Sequence, residues 1–329
     1  MKKTIVTGLW VFLLTSLLTL PAFAQELIVG GQAVGIQIST DGVLVAGLCE
    51  VDGSGGISPA QSAGLQAGDR IVAADGVPVP DAATLMEAIE KGEGGVTLSV
   101  LRGERSFLVT VEPALSGEGR PMLGLLLRDG LSGIGTLTFF DPDSGVFGAL
   151  GHSINDAATG LAVPVRGGSI TDAQIVSVTP GAAGAPGELG GVADLGRILG
   201  EITHNSEAGI FGLSSEGFGG KRLETGELAA GPASIVSTVN GHETREYTVE
   251  INRVYREAGG THAMLSVTDA ELLARTGGIV QGMSGSPILQ NGRLVGAVTH
   301  VFVSDPRRGY AVSIQDMLRA AGIALDKAA

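Results

Sequence analysis

The chain has 329 residues, long enough for two domains with a core each, and carries 34 acidic against 21 basic side chains, a formal charge of −13. That balance excludes a nucleic-acid-binding protein, which needs a basic footprint, and singles out no other partner. With 53 glycines, 44% apolar and only 4% aromatic residues, the composition predicts a mainly β chain of short strands and many turns, and the single cysteine excludes an intrachain disulfide.

The chain opens on a short basic start, Met1-Lys2-Lys3, followed by an apolar run from Ile5 to Leu20 and then Pro21-Ala22-Phe23-Ala24. A basic start, an apolar stretch and small residues at a cleavage site make residues 1–24 a secretory signal. The run is only just short of a membrane span, so an uncleaved anchor is the alternative. Both readings place the rest of the chain outside the cytoplasm.

Residues 27–112 form a self-contained block. Ile36 to Ile38 and Gly42 to Leu48 read as strands, and Cys49, inside the apolar run Gly42 to Val51, reads as a packing residue. A glycine-rich loop from Asp52 to Ser58 leads into a short helix at Ser58-Pro59-Ala60-Gln61 and a strand from Arg70. Asp75-Gly76 marks a turn, and Asp81 caps a helix from Ala82 to Lys91 whose Leu85, Met86 and Ile89 share one face. Val96 to Leu101 and Phe107 to Val111 alternate apolar and polar residues on either side of Arg102-Gly103-Glu104, a hairpin. The order Ala63-Gly64-Leu65, Gly68-Asp69-Arg70-Ile71, Asp75-Gly76 and late helix resembles the PDZ domains attached to bacterial proteases. That resemblance implies a peptide ligand added as a strand beside the second helix, its end carboxylate held by backbone amides. By position, Ala33-Val34-Gly35-Ile36 is the implied carboxylate-binding loop.

A polar joint at 113–120 marks a domain boundary. From residue 121 to 329 short apolar runs alternate with glycine turns, among them Met122 to Leu127, Gly135 to Phe140, Val146 to Leu150, Ile175 to Thr179, Ile198 to Thr203 and Gly209 to Leu213. Ala233 to Val239, Arg245 to Val254 and Met264 to Val267 follow, with one late helix from Ile314 to Ala321. This spacing predicts an all-β sandwich or a pair of barrels.

Gly277 to His300 carries the clearest chemical signal. Its turn, Gly282-Met283-Ser284-Gly285-Ser286-Pro287, precedes strands at Ile288 to Gln290 and Arg293 to Val298 joined by Asn291-Gly292. Small residues let such a turn fold tightly, so that the Ser284 hydroxyl stands out and the amides of residues 282 to 284 point at one spot. A serine nucleophile needs a base. Of His152, His204, His242, His262 and His300, only His152 ends an apolar strand beside a glycine, in Gly148-Ala149-Leu150-Gly151-His152. His204, His242 and His262 lie in polar turns, and His300 could line a substrate pocket.

Gly151-His152-Ser153-Ile154, the run Thr276 to Ile288 and Val298-Thr299-His300-Val301-Phe302-Val303 together resemble the stage IV B sporulation family of serine peptidases. The resemblance extends to the order of export signal, PDZ domain and peptidase domain. It implies a chymotrypsin-like double β-barrel, Ser284 as nucleophile, His152 as general base, and an oxyanion hole from the Gly282 and Ser284 amides. Its third member falls on Asp269, 15 residues before Ser284, a position that equally suits a cap for a helix from Ala270 to Arg275. Asp141, Asp143, Asp156 and Asp172 are the other candidates, and Ser286 is the other nucleophile. The resemblance further implies self-cleavage and cleavage of a regulator of a membrane-embedded protease, which triggers maturation of a late sigma factor in spore formation. A catalytically inactive exported PDZ scaffold is the competing reading. No His, Asp or Glu cluster has metal-ligand spacing and no glycine-rich stretch has a phosphate-loop context, so no metal or other cofactor is expected.

Overall fold

The computed structural model describes residues 25–323 except 53, 54, 57, 93, 104, 157–159, 161 and 258, so the signal or anchor expected at 1–24 lies outside the described residues. The first half contains β1 (Glu26–Val29), β2 (Ala33–Leu48), α1 (Pro59–Ser62), β3 (Arg70–Ala74), β4 (Val77–Pro78), α2 (Ala82–Lys91), β5 (Val96–Arg102) and β6 (Arg105–Val111). Next come β7 (Ala114–Leu115), β8 (Pro121–Met122), β9 (Leu125–Phe140), β10 (Val146–Ala149), β11 (Gly167–Thr179), β12 (Glu188–Ser206), β13 (Gly209–Leu213) and β14 (Arg222–Glu224). The last part holds β15 (Gly231–Thr238), β16 (Thr244–Glu257), β17 (Gly260–Val267), α3 (Ala270–Thr276), β18 (Pro287–Gln290), β19 (Arg293–Val301), β20 (Arg308–Ser313) and α4 (Ile314–Ala320).

Antiparallel pairing runs β9-β10-β13-β12-β11-β2, and β2 pairs back onto β9, which closes a first six-stranded barrel. A second closed barrel follows the order β15-β16-β17-β20-β19-β18. Closure pairs each barrel strand on both sides over part of its length, and alternate residues fill each interior. Val34, Ile36, Leu137, Phe147 and Ile170 line the first core, and Ile235, Val249, Leu265, Ile288 and Val298 the second. The chain is therefore mainly β, with a PDZ domain toward its N-terminus and a chymotrypsin-like pair of barrels, as expected.

The strand pairing departs from the expected start of the PDZ block at residue 27. β1 pairs with β9 and β14, and Ala33 to Ser39 of β2 lie between β9 and β11, so this N-terminal stretch belongs to the first barrel. The PDZ domain is an insertion between β2 and β9, and both strands run through it. Val43 and Leu44 pair with β3, while Leu44 to Leu48 pair with Leu125 to Arg128 of β9. A bulge between Ser39 and Leu44 separates the two halves of β2. Gly42 sits there at φ 84°, where a Cβ would lie 2.3 Å from the Ile71 carbonyl oxygen. The expected joint at 113–120 is the small hairpin of β7 and β8.

Inside the PDZ domain, Val96, Leu98 and Val100 point inward at the period of a strand, and Leu85 and Ile89 meet them from α2. The Asp81 carboxylate caps that helix by accepting from Thr84 N–H at 2.7 Å. Asp69 is fully buried, and its carboxylate accepts from Arg102 Nε at 2.6 Å, Arg102 Nη2 at 2.7 Å and Gln66 N–H at 2.8 Å. Removing the guanidinium would strand a charge in the core. Arg102→Leu is expected to destabilise the PDZ domain by about 3 kcal/mol, the low end for a broken buried pair because Arg102 itself is about one-third exposed. A urea melt followed by a probe in this domain checks it; an unchanged midpoint would contradict the assignment.

Candidate active site

The Gly282–Pro287 turn projects from the second barrel with Met283 buried beneath it and Gly282 at φ 96°. Met283 N–H donates to the Val280 carbonyl, Gly285 N–H to Val298 and Ser286 N–H to Met283. The amides of Gly282 and Ser284 have no acceptor among the described residues. Two free amides flanking a serine hydroxyl are what an oxyanion hole requires. Ser286 is fully buried and its hydroxyl donates to the Met283 carbonyl at 2.7 Å and meets Ser237 Oγ at 3.0 Å. That removes it as a nucleophile and makes it a strut of the turn.

The turn is held by the other barrel. Thr136 N–H on β9 donates to the Ser284 carbonyl at 3.0 Å, and Thr136 Oγ1 donates to the Gly282 carbonyl at 2.8 Å. Two residues on, Thr138 Oγ1 donates to the Gly285 carbonyl at 2.8 Å. The approach is so close that a Cβ on Gly285 (φ 95°) would fall 2.1 Å from the Thr136 carbonyl oxygen.

β10 delivers His152 to the same place. Leu150 and Gly151 have φ values of 68° and 69°, a left-handed pair that turns the chain sharply after the strand. For leucine this backbone region costs about 1–2 kcal/mol, and the packing of Leu150 in the first core holds it there. His152 Nδ1 donates to the Ser153 carbonyl at 2.7 Å, which leaves Nε2 with its lone pair free. Asn205, from β12, braces the following segment: it accepts from Ile154 N–H at 2.9 Å and donates to the Ile154 and Val163 carbonyls at 2.8 Å.

His300, on β19, packs against His152 with ring centroids 4.3 Å apart and the rings tilted by 34°. Burial, then the like charge of His300, pushes the His152 pKa down to about 4 against the opposing pull of the Ser153 carbonyl. Burial lowers His300 as well. Both rings are therefore neutral at pH 7. Ser284, His152 and His300 line one cleft of about 410 Å³, walled by Ile36, Ile134 and Leu150. In this resting geometry Ser284 Oγ donates to the Thr299 carbonyl at 2.6 Å.

The carboxylates lie elsewhere. Asp269 caps α3, accepting from Leu272 N–H at 2.9 Å and Thr248 N–H at 3.3 Å, and does not reach the cleft. Of its two readings, the structure places it in the capping one. Asp141 is tied into the β9–β10 turn by Ser144 and Asp143. Asp143 lies in that same turn, and Asp156 follows the His152 segment with its carbonyl accepting from Gly160 N–H. Asp172 pairs with Arg197 at 2.8 Å beside a separate cavity. His204 and His262 stack on Phe211 and Tyr255, away from the cleft. Among the described residues no group of His, Cys, Asp and Glu could hold a metal ion.

The expected carboxylate-binding loop is also displaced. Ala33-Val34-Gly35-Ile36 form the interior of β2, with Gly35 paired to Ile134 on one side and Thr171 on the other. A strand with both edges occupied has no room for a peptide. Thr136, Thr138 and Asn205 are site residues that the sequence reading passed over. Buried threonines at alternate positions of an apolar strand were the available signal for the first two.

Residues 119–318 match the family model of the SpoIVB peptidase S55, and residues 35–112 match that of the PDZ domain. A protein named as a serine protease, HhoA of Synechocystis sp., is 41% identical over 59 residues, which span 17% of this chain and 15% of that relative's length. The M. tuberculosis protease Rv3671c in its active form aligns over 59% of this chain and 76% of its own, with a TM-score of 0.35 at 12% identity. A thermostable serine protease, AL20, from an extremophilic microorganism aligns over 58% of this chain and 91% of its own, with a TM-score of 0.33 at 11% identity. The family match covers most of the chain and contains the whole Ser284 and His152 site, and on that ground the chain belongs to the SpoIVB peptidase S55 family.

Proposed function

We propose that the protein is a serine endopeptidase in which Ser284 is the nucleophile and His152 the general base. The observation that carries this is the pair of amides, Gly282 and Ser284, that have no acceptor among the described residues and adjoin a hydroxyl sharing a cleft with a neutral imidazole. Rotation about the Ser284 Cα–Cβ bond releases Oγ from the Thr299 carbonyl. Oγ gives its proton to His152 Nε2 and attacks the scissile carbonyl carbon, and the carbonyl oxygen takes its charge to the two amides. The imidazolium then protonates the leaving amine, and water repeats the sequence on the acyl-enzyme. The Ser153 carbonyl, not a carboxylate, fixes the His152 tautomer.

The wider reading follows from likeness to the sporulation family. The protein acts outside the cytoplasmic membrane, cleaves itself, and cleaves a regulator of a membrane-associated protease, with its PDZ domain taking a peptide or chain terminus. Ser284→Ala is expected to lower peptide and self-cleavage by roughly 10⁴-fold or more and to abolish labelling by a fluorophosphonate, with the melting midpoint preserved. Undiminished cleavage would move the nucleophile elsewhere, and a wild-type chain that neither labels nor cleaves would support the inactive scaffold.

The pH dependence follows from His152. Its folded pKa lies below the ordinary histidine value of about 6.5, so the base is already active in weak acid. The acid limb of kcat/KM is expected near pH 4. The same depression makes the unfolded chain bind more protons between pH 4 and about 6.5, so stability falls as pH drops through that window. His300→Gln removes the repelling charge but not the burial, so the limb moves upward yet stays below about 6.5. A limb that does not move in a pH–rate profile would contradict the His152–His300 contact as the cause.

A further inference from the structure

β9 is one strand with two employments. Leu125 to Arg128 complete the PDZ sheet, and Thr136 to Phe140 complete the first barrel and hold the Ser284 turn. On its outer side β10 joins only from Leu137 onward, and β1, at Phe139 and Phe140, lies on the opposite side from β10. From Leu125 to Ile134 that edge has no strand beside it among the described residues. Backbone groups alternate sides along a strand. Thr136 directs its N–H to the Ser284 carbonyl and its C=O to Leu150 N–H, away from β2. By that alternation Ile134, Ser132 and Gly130 direct theirs outward too. No strand pairs with these positions on that side among the described residues. Ile134 and Ser132 line the cleft that holds Ser284, and Ser132 also borders a second hollow that continues to Asp129.

The far end of the edge offers an anion site. Leu123 and Gly124, just before β9, carry successive amides with no acceptor among the described residues, and Gly124 has φ 74°. Their carbonyls are fixed by Ala60 N–H at 2.8 Å and Cys49 N–H at 3.0 Å, which holds the pair of N–H groups in place. Paired amides of this kind bind a carboxylate. Helix α2 flanks the strand here, its first amide, on Ala82, donating to Asp129 Oδ1 at 2.5 Å, and Leu126 is 53% exposed on the strand.

We propose that one extended polypeptide pairs with the whole open edge of β9, its C-terminal carboxylate on Leu123 and Gly124 and its scissile bond at Ser284. An antiparallel strand anchored at Gly124 runs toward its own N-terminus as β9 runs toward Thr136. The segment laid on β9 is therefore the leaving side of the substrate. Ten residues of strand span about 33 Å, so the enzyme measures a free C-terminus roughly 8 to 12 residues beyond the cleaved bond. This rests on Ser284 being the nucleophile and adds a rule for where it cuts.

The test uses the full chain and a peptide library of about 20-mers with free C-termini, read by mass spectrometry, beside the same library amidated at the C-terminus. The released C-terminal fragments are expected to cluster at about 8 to 12 residues, and amidation is expected to reduce their yield at least tenfold. Ser132→Pro deletes one outward N–H without touching the β2 ladder, and should abolish the clustering while fluorophosphonate labelling of Ser284 persists. Fragments of every length, or equal cleavage of the amides, would overturn the proposal while leaving the peptidase reading intact. In Ser284→Ala, where nothing is cut, free-acid peptides of about 14 residues should slow amide exchange at Ser132 and Ile134, and peptides of about four should not. Protection confined to Leu125–Arg128 with both lengths would likewise overturn it, whether or not the wild type cleaves.

Discussion

The structure depends on three hydrogen bonds that cross from one barrel to the other. Thr136 and Thr138 on β9 hold the carbonyls of Gly282, Ser284 and Gly285, and thereby hold the Ser284 turn by its acceptors. The amides of Gly282 and Ser284, two residues that line the cleft, are left without an acceptor among the described residues. The same threonine accepts from Leu150 N–H at 3.3 Å, so one residue sets both the serine turn and the strand end that carries His152. Buried hydroxyl-to-carbonyl bonds are worth about 1 kcal/mol each in stability, but their larger effect here is positional. A shift of a fraction of an ångström in the turn would misalign donors that act only at short range.

The site obtains a neutral, oriented imidazole without a carboxylate. Burial and the His300 ring keep His152 uncharged, and the Ser153 carbonyl fixes which nitrogen carries the proton. A buried carboxylate would stabilise the imidazolium more strongly, at the cost of its own desolvation. Asn205 contributes from further out by pinning the segment after His152 at three points.

Much of this was legible in the sequence. The Gly282–Pro287 turn announces itself by composition, His152 by its place at the end of an apolar strand, and the PDZ block by its motif order. The strand lengths and the domain boundaries were not legible, and one physical fact accounts for both. Glycine marks a turn in a sequence, but in β9 and β12 it marks close approach: a Cβ on Gly130 would lie 2.1 Å from the Ile38 carbonyl oxygen, and one on Gly200 2.8 Å from that of Leu213. Taking the stretch that holds Gly130 and Gly133 as a break between Met122 to Leu127 and Gly135 to Phe140 divides a 16-residue strand into two short runs and hides its passage from one domain to the next. The same long-range pairing took Ala33 to Ile36 out of the PDZ domain, because a strand's partners 100 residues away leave no trace in its own sequence. Asp269 illustrates the converse, since its local capping geometry was readable and is what the structure shows.

The account stands on the orientation of the Gly282 and Ser284 amides relative to the Ser284 hydroxyl. A crystal structure of the fluorophosphonate adduct measures it directly. The phosphorus should sit on Ser284 Oγ, freed from the Thr299 carbonyl, with the phosphoryl oxygen about 2.7–3.1 Å from both amide nitrogens and His152 Nε2 facing the adduct. A phosphoryl oxygen turned to solvent, or an adduct on any other residue, would contradict it.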